Sequence, residues 1–233
     1  YDGRALKDRG DRAAHEFLVR ALAHVRPDDA VLSEEGKDDQ ARLDADRVWI
    51  VDPLDGTREF AERDADGVWR DDWAVHVALW TRDEGLTAGA VALPARDQVL
   101  ATGPGAVTAA PSSPRPWRVA VSRTRPPGLV ERLAARTEVE LVAMGSAGVK
   151  TMSVVVGDAD VYLHGGGQYE WDSAAPVAVA RAAGLVTTRL DGSPLAYNRR
   201  DPWLPDLLVC RPGDHEQLAG LVHELLSTAG NDE

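Results

Sequence analysis

Val48-Trp49-Ile50-Val51-Asp52-Pro53-Leu54-Asp55-Gly56-Thr57 carries an apolar run straight into two carboxylates set three positions apart. The run predicts a strand, and the acids stand at its C-terminal end, where α/β proteins place their ligand sites. Pro53 fixes φ and removes a backbone donor, which stiffens the turn between the acids. The carbonyl of Leu54 falls between them as a neutral oxygen. Asp52, Asp55 and that carbonyl are the hard donors that magnesium takes, at about 2.0–2.1 Å in an octahedral array. Gly56 allows close approach of backbone to a ligand, and a helix starting near Thr57 would turn free N–H groups toward an anion such as phosphate. Asp-Pro and Asp-Gly are also ordinary turn signals, and an isolated Asp-x-x-Asp-Gly is more often only a turn. Its place at the end of an apolar strand favours the metal.

Upstream, Asp11 to Val25 predicts an amphipathic helix with Ala14, Leu18, Leu22 and Val25 on one face. A short strand, Ala30 to Ser33, runs into Glu34 and Glu35. Downstream, Glu62 to Arg70 is a polar, flap-like loop. Trp73 to Trp80 and Leu86 to Leu93 read as antiparallel strands, with Val99 to Thr102 as a further one. From Gly103 to Pro116 the chain turns rich in Gly, Pro, Ala and Ser, which marks a boundary. Beyond it, strands over Arg118–Ser122, Val139–Met144, Asp160–His164, Val186–Arg189 and Leu207–Cys210 alternate with helices around Val149–Val156, Ser173–Ala183 and Asp214–Ser227. The expectation is an α/β chain: an α+β half over residues 1–105, a linker at 106–116 and an α/β half over 117–233.

Three other acidic positions have two readings each. Glu34 and Glu35 are solvated acids before Gly36, or ligands delivered by a strand. Asp172, in Glu170-Trp171-Asp172-Ser173, is the N-cap of an Ala-rich helix, or a ligand. Asp11 opens a helix and has the same pair of readings. His76 and His164 lie in strands without a partner at metal-ligand spacing and read as core. Gly165-Gly166-Gly167 is a flexible loop, or a place where backbone meets substrate close to Asp172.

The formal charge of −12 repels polyanions and speaks against a nucleic-acid polymer as partner. A phosphate substrate then requires a local reversal of potential, which a bound divalent cation supplies. No apolar run approaches the roughly 20 residues of a membrane span, and no signal peptide is visible. The single cysteine, Cys210, excludes an internal disulfide framework and fits a reducing, cytoplasmic compartment.

Taken in order, Glu34-Glu35, Asp52 to Thr57 and Trp171-Asp172 resemble the lithium-sensitive, magnesium-dependent phosphatase superfamily of inositol monophosphatases, fructose bisphosphatases and bisphosphate nucleotidases. The likeness extends from about Lys7 to Cys210. Thr57-Arg58-Glu59-Phe60 resembles the nucleotidase branch, and Gly145-Ser146-Ala147-Gly148-Val149-Lys150 is similar to the Gly-Ser-x-x-x-Lys segment of CysQ-type nucleotidases. The resemblance implies a layered αβαβα sandwich and hydrolysis of the 3′-phosphate of 3′-phosphoadenosine 5′-phosphate (PAP) to AMP, a step of sulfur assimilation. It implies one magnesium held by Glu34, Asp52 and the Leu54 carbonyl, and a second held by Asp52, Asp55 and Asp172. It leaves room for a third, weaker ion near Asp55. Thr57 and Glu34 would orient the attacking water, with Asp11 holding the Thr57 hydroxyl. Gly56, Thr57, Arg58, Ser146 and Lys150 would contact substrate, and the protein would be a homodimer. Two departures stand out. The Lys7–Asp11 segment is compressed and lacks the family's Thr, and Ser122-Arg123-Thr124-Arg125 replaces a Ser-x-x-His, leaving an Arg to make any contact there. The rivals are a broader sugar phosphatase, acting on inositol 1-phosphate or fructose 1,6-bisphosphate, and a catalytically silent phosphonucleotide sensor.

Overall fold

In the computed structural model, residues 3–111, 116–124, 126 and 128–229 are described. Four residues of the expected linker, 112–115, and Arg125 of the Ser122–Arg125 segment lie outside them. Strand β2 (Arg47–Asp55) is the spine of the first sheet, paired in parallel with β1 (Ala30–Ser33) and antiparallel with β3 (Ala74–Thr81). Strands β4 (Gly85–Leu93) and β5 (Gln98–Ala101) complete the order β1-β2-β3-β4-β5. The second sheet runs β7-β6-β8-β10-β9, from β6 (Trp117–Ser122), β7 (Val139–Met144), β8 (Val161–Tyr169), β9 (Val186–Thr188) and β10 (Trp203–Cys210).

Side-chain alternation decides the layering. Val48 and Ile50 of β2 join a core shared with Ala120, Tyr162, Leu207 and Val209 of the second sheet. Helices α4 (Ala147–Val156) and α5 (Glu170–Ala182) fill the space between the sheets, burying Val149, Met152, Val155, Ala174, Val177 and Ala180. On the far face of the second sheet, Trp117, Val119, Val121, Leu163 and Leu208 pack against α3 (Gly128–Ala134) and α6 (Pro212–Ala229). Helix α1 (Gly3–Val25) packs against β2 as the outer layer of the first sheet. The order is therefore αβαβα, as expected.

Four local expectations are corrected. Helix α1 begins at Gly3 rather than Asp11, because the stripe of Ala14, Leu18 and Leu22 continues back through Gly10 to Leu6. Gly10 marks a close approach to Phe60, not a break: a β-carbon there would fall 2.5 Å from the ring. Asp11 is thus in mid-helix and cannot be an N-cap. Strand β2 does not stop at Asp52; it continues to Asp55, with a register shift against β3 between those two acids. The helix expected after Gly56 is a single turn, α2 (Thr57–Phe60), so its aligned dipoles add little, although its N–H groups remain. The glycine run 165–167 lies inside β8, opposite the bulge at Leu204 and Asp206, and is not a loop.

Candidate active site

The shift in β2 is what makes the acid pair usable. In a regular strand, residues three apart point to opposite faces. The irregularity between Asp52 and Asp55 turns both inward, as bulges do when they re-aim a side chain. Asp172, in the first turn of α5, meets them from the second half. One carboxylate oxygen from each of the three lies within 4.8 Å of the others. Glu34 follows β1, whose register places Ser33 beside Val51, and it stands at the mouth of this group, outside that span.

Gathering these acids costs electrostatic energy. Burial pushes the Asp52 carboxyl well above the usual carboxylate range, and the charges of Asp55, Glu34 and Asp172 add to the shift. Burial likewise raises Asp172 to about 7, with Asp55 adding to it. Glu34 rises to about 7, again chiefly by burial. Buried Asp52 Oδ2 has no hydrogen-bond donor. An orphaned carboxylate oxygen among mutually repelling acids is the environment that a hard divalent cation relieves, so the donor set fits one.

The other two acids are held by donors from the second half of the chain. Asp55 Oδ2 accepts the Ser146 hydroxyl at 2.5 Å and the Gly148 N–H at 2.7 Å. Ser146 holds a left-handed φ of 47° and caps α4 by accepting the Val149 N–H at 3.0 Å. Strain of this kind persists where surrounding contacts impose it. Asp172 is not the N-cap of α5. Tyr169 is, and Asp172 stands three residues on, its Oδ2 accepting the Tyr169 N–H at 2.6 Å in a capping box. One oxygen is engaged by the helix end and the other stays available.

Gly56, in the left-handed region at φ 87°, reverses the chain so that Thr57 comes back over Leu54. The Thr57 hydroxyl donates to the Leu54 carbonyl at 3.0 Å and stands 3.5 Å from Asp11 Oδ1. Burial, then the charge of Glu35, raises Asp11 to about 6.

Beside the acids opens a cavity of about 560 Å³, lined in part by Arg58, Lys150, Tyr162, His164 and the glycines 165–167. Lys150 is almost wholly buried, its ammonium 5.4 Å from the Tyr162 ring centre. Burial lowers its pKa. His164 Nε2 bonds the Gly167 carbonyl at 2.9 Å, and its Nδ1 faces the Tyr162 hydroxyl at 3.3 Å. His164 is hydrogen-bonded, as expected, but it also lines the cavity. Arg123 does not face it: ion pairs with Glu59 and Asp72 engage its guanidinium.

His76 is the neighbour that sequence reasoning passed over. It is fully buried, as a core histidine should be, yet its Nε2 lies 3.3 Å from Asp55 Oδ2 and its Nδ1 3.2 Å from the Trp171 carbonyl. No spacing signal links position 76 to positions 55 and 171; only the β2–β3 register, which sets His76 opposite Asp52, brings them together.

A sequence model described as the inositol monophosphatase family matches residues 8–227. A protein of Mycobacterium leprae named 3′-phosphoadenosine 5′-phosphate phosphatase is 52% identical over 237 residues, covering 95% of this chain and 84% of its own. Its namesake in Mycobacterium tuberculosis is 54% identical over 212 residues, covering 88% and 78%. Among solved structures, CysQ from Bacteroides thetaiotaomicron superposes with a TM-score of 0.71 at 31% identity, over 86% of this chain and 83% of that one.

Proposed function

The chain belongs to the inositol monophosphatase family, and from that premise we propose that it is a magnesium-dependent phosphatase removing the 3′-phosphate of PAP to give AMP and inorganic phosphate. The mycobacterial relatives, more than half identical and carrying that name, support the substrate. The observation in the fold that favours a doubly phosphorylated ligand is the juxtaposition of two compartments of opposite sign. The acid group of Asp52, Asp55 and Asp172 opens beside a cavity that holds Lys150 and Arg58. The acids of the first would hold a cation that offsets the charge of one phosphate, and the basic side chains of the second receive the other.

In this reading Asp52, Asp55, Asp172, Glu34 and the Leu54 carbonyl hold two magnesium ions, with a third and weaker one near Asp55. Magnesium supplies acidity to a bound water and neutralises charge on the phosphate oxygens. The chain's own residues do the rest. Thr57, its hydroxyl placed between the Leu54 carbonyl and Asp11, orients the attacking water together with Glu34. The N–H groups of Gly56 and Thr57 bind phosphate oxygens; the Ser146 hydroxyl, expected to join them, gives its one proton to Asp55 instead. Lys150 and Arg58 hold the 5′-phosphate. Water adds to phosphorus and gives up a proton, the bond from phosphorus to the ribose 3′-oxygen breaks, and that oxygen takes up the proton as it leaves.

Phosphate release from PAP, inositol 1-phosphate and fructose 1,6-bisphosphate at one magnesium concentration tests the proposal. The expected result is kcat/KM highest for PAP. A preference for either sugar phosphate replaces the substrate, and tight PAP binding with no phosphate release replaces the enzyme with a sensor. The same reading carries a homodimer in the cytoplasm, which light scattering and fractionation check. Among the described residues no helix is long and apolar enough to cross a membrane.

A further inference from the structure

Arg123 follows β6, yet its guanidinium reaches into the first half of the molecule. Its Nη1 lies 3.2 Å from Glu59 Oε1 and 3.9 Å from Glu62 Oε2, and its Nη2 donates to Asp72 Oδ2. That same Asp72 oxygen accepts the Gly145 N–H at 2.7 Å. Glu59 closes on Gly145 as well: a β-carbon there would fall 2.3 Å from Glu59 Cγ. The segment that follows gives Asp55 both of its donors, the Ser146 hydroxyl and the Gly148 N–H. On the other side, Glu59 is two residues beyond Thr57. Asp72 precedes Trp73, whose ring meets Phe60 edge-on at 5.0 Å and whose backbone borders Gly56.

One guanidinium therefore stands where the two segments that shape the acid group meet, the Asp55–Phe60 turn and the loop entering α4. Glu59 and Asp72 are both buried, and two desolvated carboxylates without a counter-charge would push apart. The planar fork of Arg serves both at a fixed angle; a lysine ammonium would not. We propose that Arg123, acting through Asp72 and Glu59, is a positioning residue: it sets the Gly145–Gly148 loop, and so the orientation of Asp55, without touching substrate. Only the turnover arm of its test rests on the phosphatase reading.

The test compares the Arg123→Ala, Arg123→Lys and Asp72→Asn variants with wild type by magnesium titration calorimetry without substrate and by PAP turnover. Arg123→Ala is expected to bind magnesium about 10- to 100-fold more weakly, the range for losing an outer-shell partner. Its kcat falls by a comparable factor while KM for PAP stays unchanged, and added guanidinium restores kcat. Arg123→Lys recovers little, because an ammonium lacks the fork. Wild-type magnesium affinity in Arg123→Ala overturns the proposal, and so does a loss confined to KM, which would make Arg123 a substrate contact. If Arg123→Ala does not fold, Arg123→Lys and Asp72→Asn decide by the same two readouts. Should wild type fail to hydrolyse PAP, the proposed function falls, and the calorimetry still judges Arg123.

Discussion

The Gly148 backbone and the His76 imidazole are in direct contact, so close that a β-carbon on the glycine would fall 2.0 Å from Nε2. Both groups stand against the same carboxylate: Gly148 donates its N–H to Asp55 Oδ2 at 2.7 Å, and His76 Nε2 lies 3.3 Å from that oxygen. His76 also ties β3 to the Trp171 carbonyl at the start of α5. One buried ring thus joins three elements that bring acids together.

Gly148→Ala should therefore destabilise the protein by about 1–3 kcal/mol, the usual cost of overpacking a filled interior. It should also weaken magnesium binding, since the added methyl displaces the donor to Asp55. Urea denaturation and magnesium titration check this; a variant as stable as wild type would show that the ring yields freely.

Asp52→Asn should abolish turnover, by more than the roughly 100-fold seen when an outer-shell partner is lost. The metal-free protein should be no less stable than wild type, because a neutral amide relieves the repulsion that lifts the Asp52 pKa. Retained turnover at saturating magnesium would remove Asp52 from the site.

Stability of the metal-free protein should fall as pH rises. Burial raises Asp11, Glu34 and Asp172 to about 6, 7 and 7 in the folded protein, from ordinary values of 3.8, 4.5 and 3.8. Between about pH 4 and 7 the folded state therefore holds protons that the unfolded chain has lost, and stability decreases across that window. Magnesium competes with those protons, so it should raise the melting temperature more at pH 8 than at pH 5. A metal-free melting temperature that rises from pH 5 to 7 contradicts this.

Thr57→Val keeps the shape of the side chain but removes the hydroxyl that bonds Leu54 O. Loss of a positioned proton-handling group typically costs about 10²–10⁴-fold in rate, and kcat should fall within that range. Thr57→Ser should retain most of the activity. Equal kcat in both variants would show that only the backbone of residue 57 matters.

Much of this was legible in the chain itself. The strand from Arg47, the acid turn, Glu34-Glu35 at the end of β1 and the alternation of strands and helices after Pro116 are local patterns, written in residues a few positions apart. Helix α3 escaped notice because seven residues carry too little periodicity. The start of α1 is not legible because Lys7–Asp11 reads as a compressed segment before the helix, whereas Gly10 is a helical residue in contact with Phe60.

By itself the sequence determined which carboxylates exist, in what order they occur and what family they resemble, since spacing and composition are properties of the chain alone. Tertiary structure decided where each one points. The register slip in β2 turns Asp52 and Asp55 to one side, the capping box leaves one oxygen of Asp172 available, and β-sheet pairing sets His76 against Asp55. Each of these depends on contacts between residues far apart in the chain, whose direction no local propensity encodes.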